Sequence, residues 1–288
     1  MAAIGICPDF ASLPEVAKLG FDYVELSLAQ VAALAEADFA ELAEYVDAAG
    51  IRVCACRDML PAELPVTGPG VNAAALHDYL KRALGRARRL GVKVVVLDAA
   101  RSRAVAQDGD FPFAWRQLGN FLRLCQGHAR EWGVTVCLEP LRKADCSLLN
   151  LVSEATLIAG LLQLSNIAVA AHWGHMSMAS EPMGALWRAA PLLRHVHLEN
   201  ALTRRLPAPG DGEDYGRMLS PLATMGYAGG ISLCGTITET FVQEAAAALE
   251  HIRALCGDIQ GGRRGALPNV RCPDQADGAS QPSGAFDQ

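Results

Sequence analysis

Five residues that can bind a metal or carry a proton lie at, or just after, the ends of short apolar segments. They are Glu139, His172, His175, His197 and Cys234. Carboxylates, imidazoles and thiolates are suitable ligands for a divalent metal, and nitrogen and sulfur donors favour zinc or iron over magnesium or manganese. A bound metal can polarise a carbonyl group or lower the pKa of water. The pattern therefore predicts a metal site made of Glu139, His172, His197 and Cys234.

Less specific interpretations of these residues stay open. A single histidine at a strand end more often makes a structural hydrogen bond, and Cys234 is also what a small buried hydrophobic residue looks like. His195, His197 and Glu199 share one face of a strand because they are spaced by two. His197 is nearer the carboxyl end, so we expect His195 to lie deeper, with a structural hydrogen bond. Further cysteines are predicted to pack inside the fold: Cys7, Cys54, Cys56 and Cys137.

The segments that carry these residues alternate with longer stretches rich in Ala, Leu, Glu and Arg. This alternation predicts a parallel α/β fold, and eight strands predict a closed (β/α)₈ TIM barrel. We predict strands at Ile4–Cys7, Tyr23–Leu28, Ile51–Cys56, Val92–Leu97, Val134–Glu139, Ile167–His172, His195–Leu198 and Gly230–Cys234. Helices are predicted at Phe39–Ala49, Leu76–Leu90 and Phe241–Leu255.

The carboxyl ends of barrel strands meet at one mouth, so the candidate residues are expected to converge there. Glu25 on the second strand is predicted to bind substrate at the same mouth. Two pairs of arginines follow strands four and seven, where an arginine can clamp a phosphate or carboxylate. They are Arg101 with Arg103, and Arg204 with Arg205. For Arg103 and Arg205 the preferred interpretation is a solvated loop charge.

Length and composition fit one such barrel. The chain has 288 residues, of which 51% are hydrophobic and 19% charged, and a barrel of this type needs about 250 residues. We predict a barrel over residues 1–258 and a flexible tail, rich in Gly, Pro and Ser, over 259–288. The net charge of −6 argues against a protein that grips nucleic acid through its phosphates.

Cysteine usage and hydropathy bear on the cellular compartment. An odd number of cysteines, nine, scattered through apolar segments indicates reduced thiols and a cytoplasmic protein. The N-terminus does not look like a signal peptide, and no stretch approaches the ~20 apolar residues of a membrane helix. A homo-oligomer is compatible with the sequence, although no segment indicates an interface.

Five landmarks, in this order and spacing, resemble the sugar phosphate isomerase/epimerase group of xylose-isomerase-like TIM barrels, which includes ketose 3-epimerases. They are Leu19–Leu26, Leu90–Leu97, Leu138–Leu141, His195–Leu198 and Gly226–Leu233. The resemblance runs from about Ile4 to Leu255. It implies a divalent metal (zinc, manganese or iron), a small sugar as substrate and a role in carbohydrate metabolism.

The resemblance also implies roles for individual residues. Glu139 matches a glutamate that binds the metal and moves protons between sugar carbons, and His197 matches the metal-binding histidine. Asp145, His175 and Arg204 match residues that contact the substrate or support those that do.

This chain departs from the group at two of the four usual metal ligands. His172 stands where an aspartate is usual, and Cys234 stands where the second glutamate is usual. Arg142 and Ser147 replace common asparagines. Cys234 is then either the fourth ligand or the second proton carrier, which as a thiolate must work near its pKa.

Three functions follow as alternatives. The first is a sugar or sugar-phosphate isomerase or epimerase that uses metal-assisted proton transfer next to a carbonyl, with Glu139 as base. The second is a non-catalytic relative that binds a sugar or a partner. The third is a zinc-type hydrolase or lyase built on the same mouth.

Overall fold

Eight parallel strands form a closed barrel in the computed structural model, which describes residues 2–105 and 109–261. The strands are β1 (Ala3–Ile6), β2 (Tyr23–Ser27), β3 (Val53–Arg57), β4 (Val94–Leu97), β5 (Thr135–Leu138), β6 (Ile167–His172), β7 (Leu193–Leu198) and β8 (Gly230–Leu233). Each strand pairs with the next, and β8 pairs with β1 to close the barrel. The predicted TIM-barrel fold is confirmed.

Helices connect the strands and surround the barrel. They are α1 (Leu13–Val16), α2 (Leu28–Ala33), α3 (Glu36–Ala48), α4 (Ala73–Arg89), α5 (Phe111–Trp132), α6 (Val152–Leu162), α7 (Trp173–Met178), α8 (Gly184–Ala189), α9 (Gly216–Thr224) and α10 (Phe241–Gly261). Local signals set their ends. The Asp110 side chain accepts a hydrogen bond from the Phe113 N–H at 2.8 Å, which caps α5. Gly133 ends it with a φ of 63°, a conformation that favours glycine.

Two hydrophobic layers follow from the alternation of side chains along the strands. The larger cluster, with Val95, Leu97 and Val169, fills the space between barrel and helices. A small separate cluster lies inside the barrel and consists of Val96, Cys137, Ala168 and Ala170, with Val94 packed against it. The inner cluster belongs to β4, β5 and β6, so it fills only one side of the barrel interior.

The other side of the interior is polar and is built from β2, β7 and β8. Glu25, His195 and Ser232 are each at most 1% exposed there. Tyr23 lies below them and needs glycine at positions 5 and 230. A Cβ atom added to Gly5 would come within 2.3 Å of the Tyr23 ring, and one added to Gly230 would come within 2.5 Å of the Tyr23 hydroxyl. The barrel therefore encloses a hydrogen-bonded polar column beside its apolar filling.

Several predicted boundaries are corrected by the structure. β6 matches its prediction, β7 begins two residues earlier, at Leu193, and β3 and β4 begin two residues later than predicted. α10 continues through Gly257 to Gly261 because Ile259 still packs against the core, so the predicted barrel end at residue 258 falls inside a helix. The rest of the predicted tail, residues 262–288, lies outside the described residues.

Two further expectations concern membranes and cysteines. Among residues 2–105 and 109–261, every helix is too short or too polar to cross a membrane.

The predicted packing of the cysteines is confirmed for Cys137, which packs inside the barrel. Cys56 instead belongs to the outer core, between barrel and helices, and Cys7 lies at the mouth.

Candidate active site

A cavity of about 600 Å³ opens at the carboxyl ends of the strands. Most of its wall comes from strand ends. In five strands, the residue that directly follows the strand lines the cavity: Cys7, Asp98, Glu139, Glu199 and Cys234. The strands β3 and β6 contribute their own last residues, Arg57 and His172. Barrel strands end at a similar level, so short sequence segments from all around the chain meet in one volume.

Glu139 and His197 form the closest pair of candidate residues. The Oε2 atom of Glu139 lies 2.5 Å from Nδ1 of His197, and both side chains are at most 3% exposed. On the other side of the ring, Nε2 of His197 lies 3.1 Å from Oε1 of Glu25. The imidazole is thus held between two carboxylates.

This arrangement perturbs the pKa of both partners. Burial alone would lower the pKa of His197, but Glu139 and Glu25 outweigh it and hold that pKa well above its usual value. Burial alone would raise the pKa of Glu139, but the His197 charge outweighs it and lowers that pKa. Glu139 therefore stays ionised at neutral pH, as a metal ligand or a general base must.

Glu25 lies beneath the cavity rather than in its wall. Its Oε2 atom lies 2.7 Å from Nε2 of His195 and accepts a hydrogen bond of 2.5 Å from the Ser232 hydroxyl. The side chain has no exposed surface, so the predicted substrate-binding role is wrong for direct contact. Its position instead orients His197. His195 lies deeper and makes a structural hydrogen bond, as expected from its place on the strand.

His172 and His175 stack side by side at the start of α7, with ring centroids 4.1 Å apart. The His172 Nδ1 atom accepts from the backbone N–H of His175 at 3.4 Å, and His175 Nε2 lies 4.0 Å from Glu139 Oε1. Burial lowers the pKa of His175 to about 4 and that of His172 well below its usual value. Both rings are neutral at pH 7, so each has one nitrogen lone pair. The lone pair of His172 accepts the 3.4 Å hydrogen bond from the His175 N–H, which a metal at His172 Nδ1 would replace, and the lone pair of His175 can bind a metal or accept from a substrate hydroxyl.

Cys7 and Cys234 form a thiol pair at the junction of β1 and β8. Their sulfur atoms lie 3.0 Å apart. Burial, reinforced by the neighbouring Cys7 thiol, raises the pKa of Cys234 well above its usual value. A neutral thiol is a poor base, so the structure argues against Cys234 as the second proton carrier and leaves it as a ligand.

Asp98 follows β4 and adds a second unusual carboxyl group to the wall. Its Oδ2 atom accepts from the backbone N–H of Asp58 at 3.2 Å. Its Oδ1 atom is out of solvent and has no hydrogen-bond partner among the described residues. Burial, together with the charges of Asp58 and Glu139, raises the pKa of Asp98 to about 8. Asp98 is therefore a protonated acid at neutral pH.

Two of the three arginines in the cavity wall, Arg57 and Arg204, lie beside carboxylates. The Arg57 Nη1 atom is 2.5 Å from Asp58 Oδ2, and the Arg204 Nε atom is 2.9 Å from Glu199 Oε2. Arg204 also lies 3.7 Å from Asp145. These neighbours neutralise much of the positive charge that Arg57 and Arg204 bring to the cavity.

Arg103 is neither a solvated loop charge nor a clamp in the cavity. It is fully buried and donates to the backbone oxygen of Glu139 at 2.6 Å. The guanidinium thus ties the loop after β4 to the end of β5, where it supports the backbone of Glu139.

The structure brings seven of the eight predicted site residues together around the cavity and leaves out Glu25. The seven are Glu139, Asp145, His172, His175, His197, Arg204 and Cys234. Sequence reasoning missed Arg57, Asp58 and Asp98, although each lies at or just after a strand end, which is the signal used for the others. Cys7, predicted to pack inside the fold because free cysteines are usually buried, instead belongs to the cavity wall.

The side chains fit a divalent metal, but not in the predicted single group of four. Among the described residues, potential ligand atoms within 4.8 Å of one another fall into three groups. These are Glu139 with His172 and His175, Cys7 with His197 and Cys234, and Glu25 with His195 and His197. The buried Nδ1 atom of His175 has no hydrogen-bond partner in the described residues, which is consistent with room for a ligand. Glu139 of the first group is in direct contact with His197 of the second, so these two groups lie next to each other.

Comparisons with known proteins find that this chain is similar to several sugar epimerases. A D-psicose 3-epimerase from Agrobacterium fabrum is 23% identical over 209 residues, which is 69% of either chain. The solved structure of L-ribulose 3-epimerase superposes with a TM-score of 0.78 at 20% identity, over 91% of this chain and 97% of that one.

Two further solved structures share the fold. A D-psicose 3-epimerase with D-tagatose from Clostridium cellulolyticum H10 has a TM-score of 0.75 at 21% identity, over 88% of this chain and 99% of that one. A 3-keto-D-glucoside 4-epimerase from E. coli has a TM-score of 0.75 at 17% identity, over 88% of this chain and 100% of that one. The model of the xylose isomerase-like TIM barrel family matches residues 13–256, and the chain belongs to that family.

Proposed function

We propose that the protein is a sugar isomerase or epimerase that moves a proton on a carbon next to a carbonyl group. The observation that carries the proposal is the ionised Glu139 carboxylate, held 2.5 Å from His197 in a polar cavity at the strand ends. The relatives found by comparison are sugar epimerases, which agrees with this chemistry.

The charges around the cavity favour a neutral sugar over a sugar phosphate. Besides the protonated Asp98, four carboxyl groups face three arginines in the wall: Asp58, Glu139, Asp145 and Glu199 against Arg57, Arg101 and Arg204. A phosphate carries up to two negative charges at pH 7 and needs donors that are not already neutralised. Hydroxyl groups, in contrast, can both donate to carboxylates and accept from arginines and imidazoles.

Glu139 and Asp98 are the proposed proton carriers. Glu139 is ionised and takes the proton from the carbon, while Asp98 is protonated and can donate to the carbonyl oxygen or to the opposite face of the carbon. Two carboxyl groups with pKa values moved in opposite directions are what acid–base catalysis requires. Asp98 therefore replaces Cys234 in the role of second proton carrier.

Glu139 and His197 would hold a divalent metal together with His172 or Cys234, and such an ion supplies Lewis-acid polarisation of the carbonyl when bound. Asp145, His175 and Arg204 are proposed to orient the sugar hydroxyls. Seven cysteines of the described residues, Cys54 apart, are free thiols. Free thiols suit a reducing compartment, so we propose a cytoplasmic protein of carbohydrate metabolism.

Proton exchange tests the proposal directly. The purified chain is incubated in D₂O with free ketoses and aldoses, with or without Zn²⁺ or Mn²⁺, and deuterium at the carbon next to the carbonyl is measured by NMR. We expect exchange with a free sugar, little with its phosphate, and loss of exchange in Glu139→Gln. Absence of exchange with every ketose and aldose would contradict the proposal.

The two other functions remain distinguishable in the same experiment. The nitrogen- and sulfur-rich groups around His197 are the observation that favours a zinc-type hydrolase or lyase, which would hold about one zinc per chain without exchanging sugar protons. A non-catalytic relative would bind a sugar, seen as a thermal shift, without any exchange.

A further inference from the structure

Two cysteines meet at the seam where the barrel closes. Cys7 and Cys234 are 227 positions apart in the chain, yet they directly follow paired residues of neighbouring strands, Ile6 and Leu233. The Cys7 N–H donates to the backbone oxygen of Leu233 at 3.1 Å, which fixes the two residues side by side. Their adjacency is therefore set by the backbone register and not by side-chain rotamers alone.

The pair faces the site and not the core. Both cysteines belong to the cavity wall, whereas the other cysteines of the described residues lie outside it. A ring nitrogen of His197 and the two sulfur atoms all lie within 4.8 Å of one another, which is a separation that ligands of a single ion can have. Two sulfurs and an imidazole are a donor set that suits a soft cation.

We propose that Cys7 and Cys234 bind a thiophilic divalent cation of the zinc class as paired thiolates, with His197 as a further ligand. The role of the cation in catalysis rests on the proposed function. The proposal adds to that function the class of metal and one further ligand, Cys7, which the sequence did not indicate. Hard cations such as Mg²⁺ and Mn²⁺ prefer oxygen ligands and are expected to bind more weakly at this pair.

Binding follows a simple proton balance. Each S–H bond breaks as a sulfur–metal bond forms, and each of these two protons passes to the solvent. The His197 imidazolium loses a third proton when one of its nitrogens becomes a ligand, so at least two protons leave for every cation bound. No electron is transferred, and no other reactant is needed. The affinity for the cation therefore rises with pH.

The experiment uses the full chain, stripped with a chelator and kept under a reducing agent, with Cd²⁺ and Co²⁺ as probes. Both ions give ultraviolet charge-transfer bands only when thiolates bind them. We expect a band that saturates at one ion per chain, release of at least two protons, and competition by Zn²⁺ but not by Mn²⁺. Cys7→Ser and Cys234→Ser should each reduce the band to about half or less, because one of two thiolates is lost.

Cys256→Ser is the matched control, because Cys256 is a buried cysteine on α10 outside the cavity wall, and it should leave the band unchanged. Folding of each variant is checked by circular dichroism. The proposal is overturned if no band forms, if the band keeps its full intensity in both Cys7→Ser and Cys234→Ser, or if a disulfide between the two is recovered in place of bound metal. The absorption band is measured without any sugar, so the two proposals fail separately. A band without sugar proton exchange would contradict only the proposed function, and sugar proton exchange without a band would contradict only the thiolate site.

Discussion

Replacing Glu25 by glutamine tests whether the buried carboxylate beneath the cavity orients His197. Gln has nearly the same shape, but its amide nitrogen donates where the carboxylate accepted. Ser232 and His195 both contact Oε2, so the amide oxygen best takes that position and the NH₂ group turns to His197. His197 can accept from it only with Nε2 deprotonated, which places the ring hydrogen on Nδ1, facing Glu139.

The magnitude follows from what the substitution leaves behind. Glu25 and His197 are at most 2% exposed, and removing one partner of a buried ion pair costs about 3–5 kcal/mol. For a chain of this size that corresponds to a Tm lower by roughly 6–20 °C. Because Nδ1 no longer offers a lone pair to a metal, we also expect metal affinity to fall by about 10–100-fold.

Urea denaturation of the metal-free protein, followed by circular dichroism, measures the first effect, and calorimetric titration with Zn²⁺ measures the second. Glu41→Gln, a substitution of an exposed glutamate on α3, is the matched control and should change neither quantity. The reasoning is refuted if Glu25→Gln is as stable as this control and binds Zn²⁺ with the affinity of the unmodified chain.

Three further outcomes are expected. The rate of sugar proton exchange should fall as pH rises through about 8, because the acid form of Asp98 is lost there, and Asp98→Asn should be slow and lack this pH dependence, unlike exposed Asp38→Asn. Gly5→Ala should lower the free energy of unfolding in urea by about 1–3 kcal/mol, because its Cβ overlaps the Tyr23 ring. Treatment with a chelator should lower the Tm, and Zn²⁺ at 100 times its Kd should restore about 2.7 kcal/mol of stability.

The alternation of strand and helix segments was enough to predict the barrel. The predicted bounds of β6 are the observed ones, because an uninterrupted apolar run before His172 is typical of a strand covered on both faces, and all six residues of Ile167–His172 are buried. The end of α10 was not predictable, since Gly257 looks like a stop signal and only the tertiary contact of Ile259 carries the helix past it.

The candidate site was predictable where depth along a strand did not matter. Residues at a strand's carboxyl end, such as Glu139 and His197, were found because parallel strands direct their ends to one mouth. Glu25 was misplaced because the alternation of side chains says that a residue faces inward but not at which level. Glu25 is the third residue of β2 and lies one layer below the mouth.

The grouping of ligands was not predictable either. The sequence indicated that four side chains converge, but rotamers and strand stagger decide which of them lie within reach of one ion. Those depend on contacts such as the 3.0 Å approach of Cys7 and Cys234, which joins the first and last strands.

The polar column inside the barrel also constrains how the strands can be aligned. Glu25 meets Ser232, 207 positions along the chain, and a slip of β2 by two residues would keep its side chains inward while moving the carboxylate away from both histidines. A bare negative charge sealed in an apolar enclosure is far costlier than an imperfect van der Waals fit. Misaligned barrels are therefore electrostatically unfavourable. A fragment that ends before β7 would leave the Glu25 charge without its histidine partners and is not expected to fold.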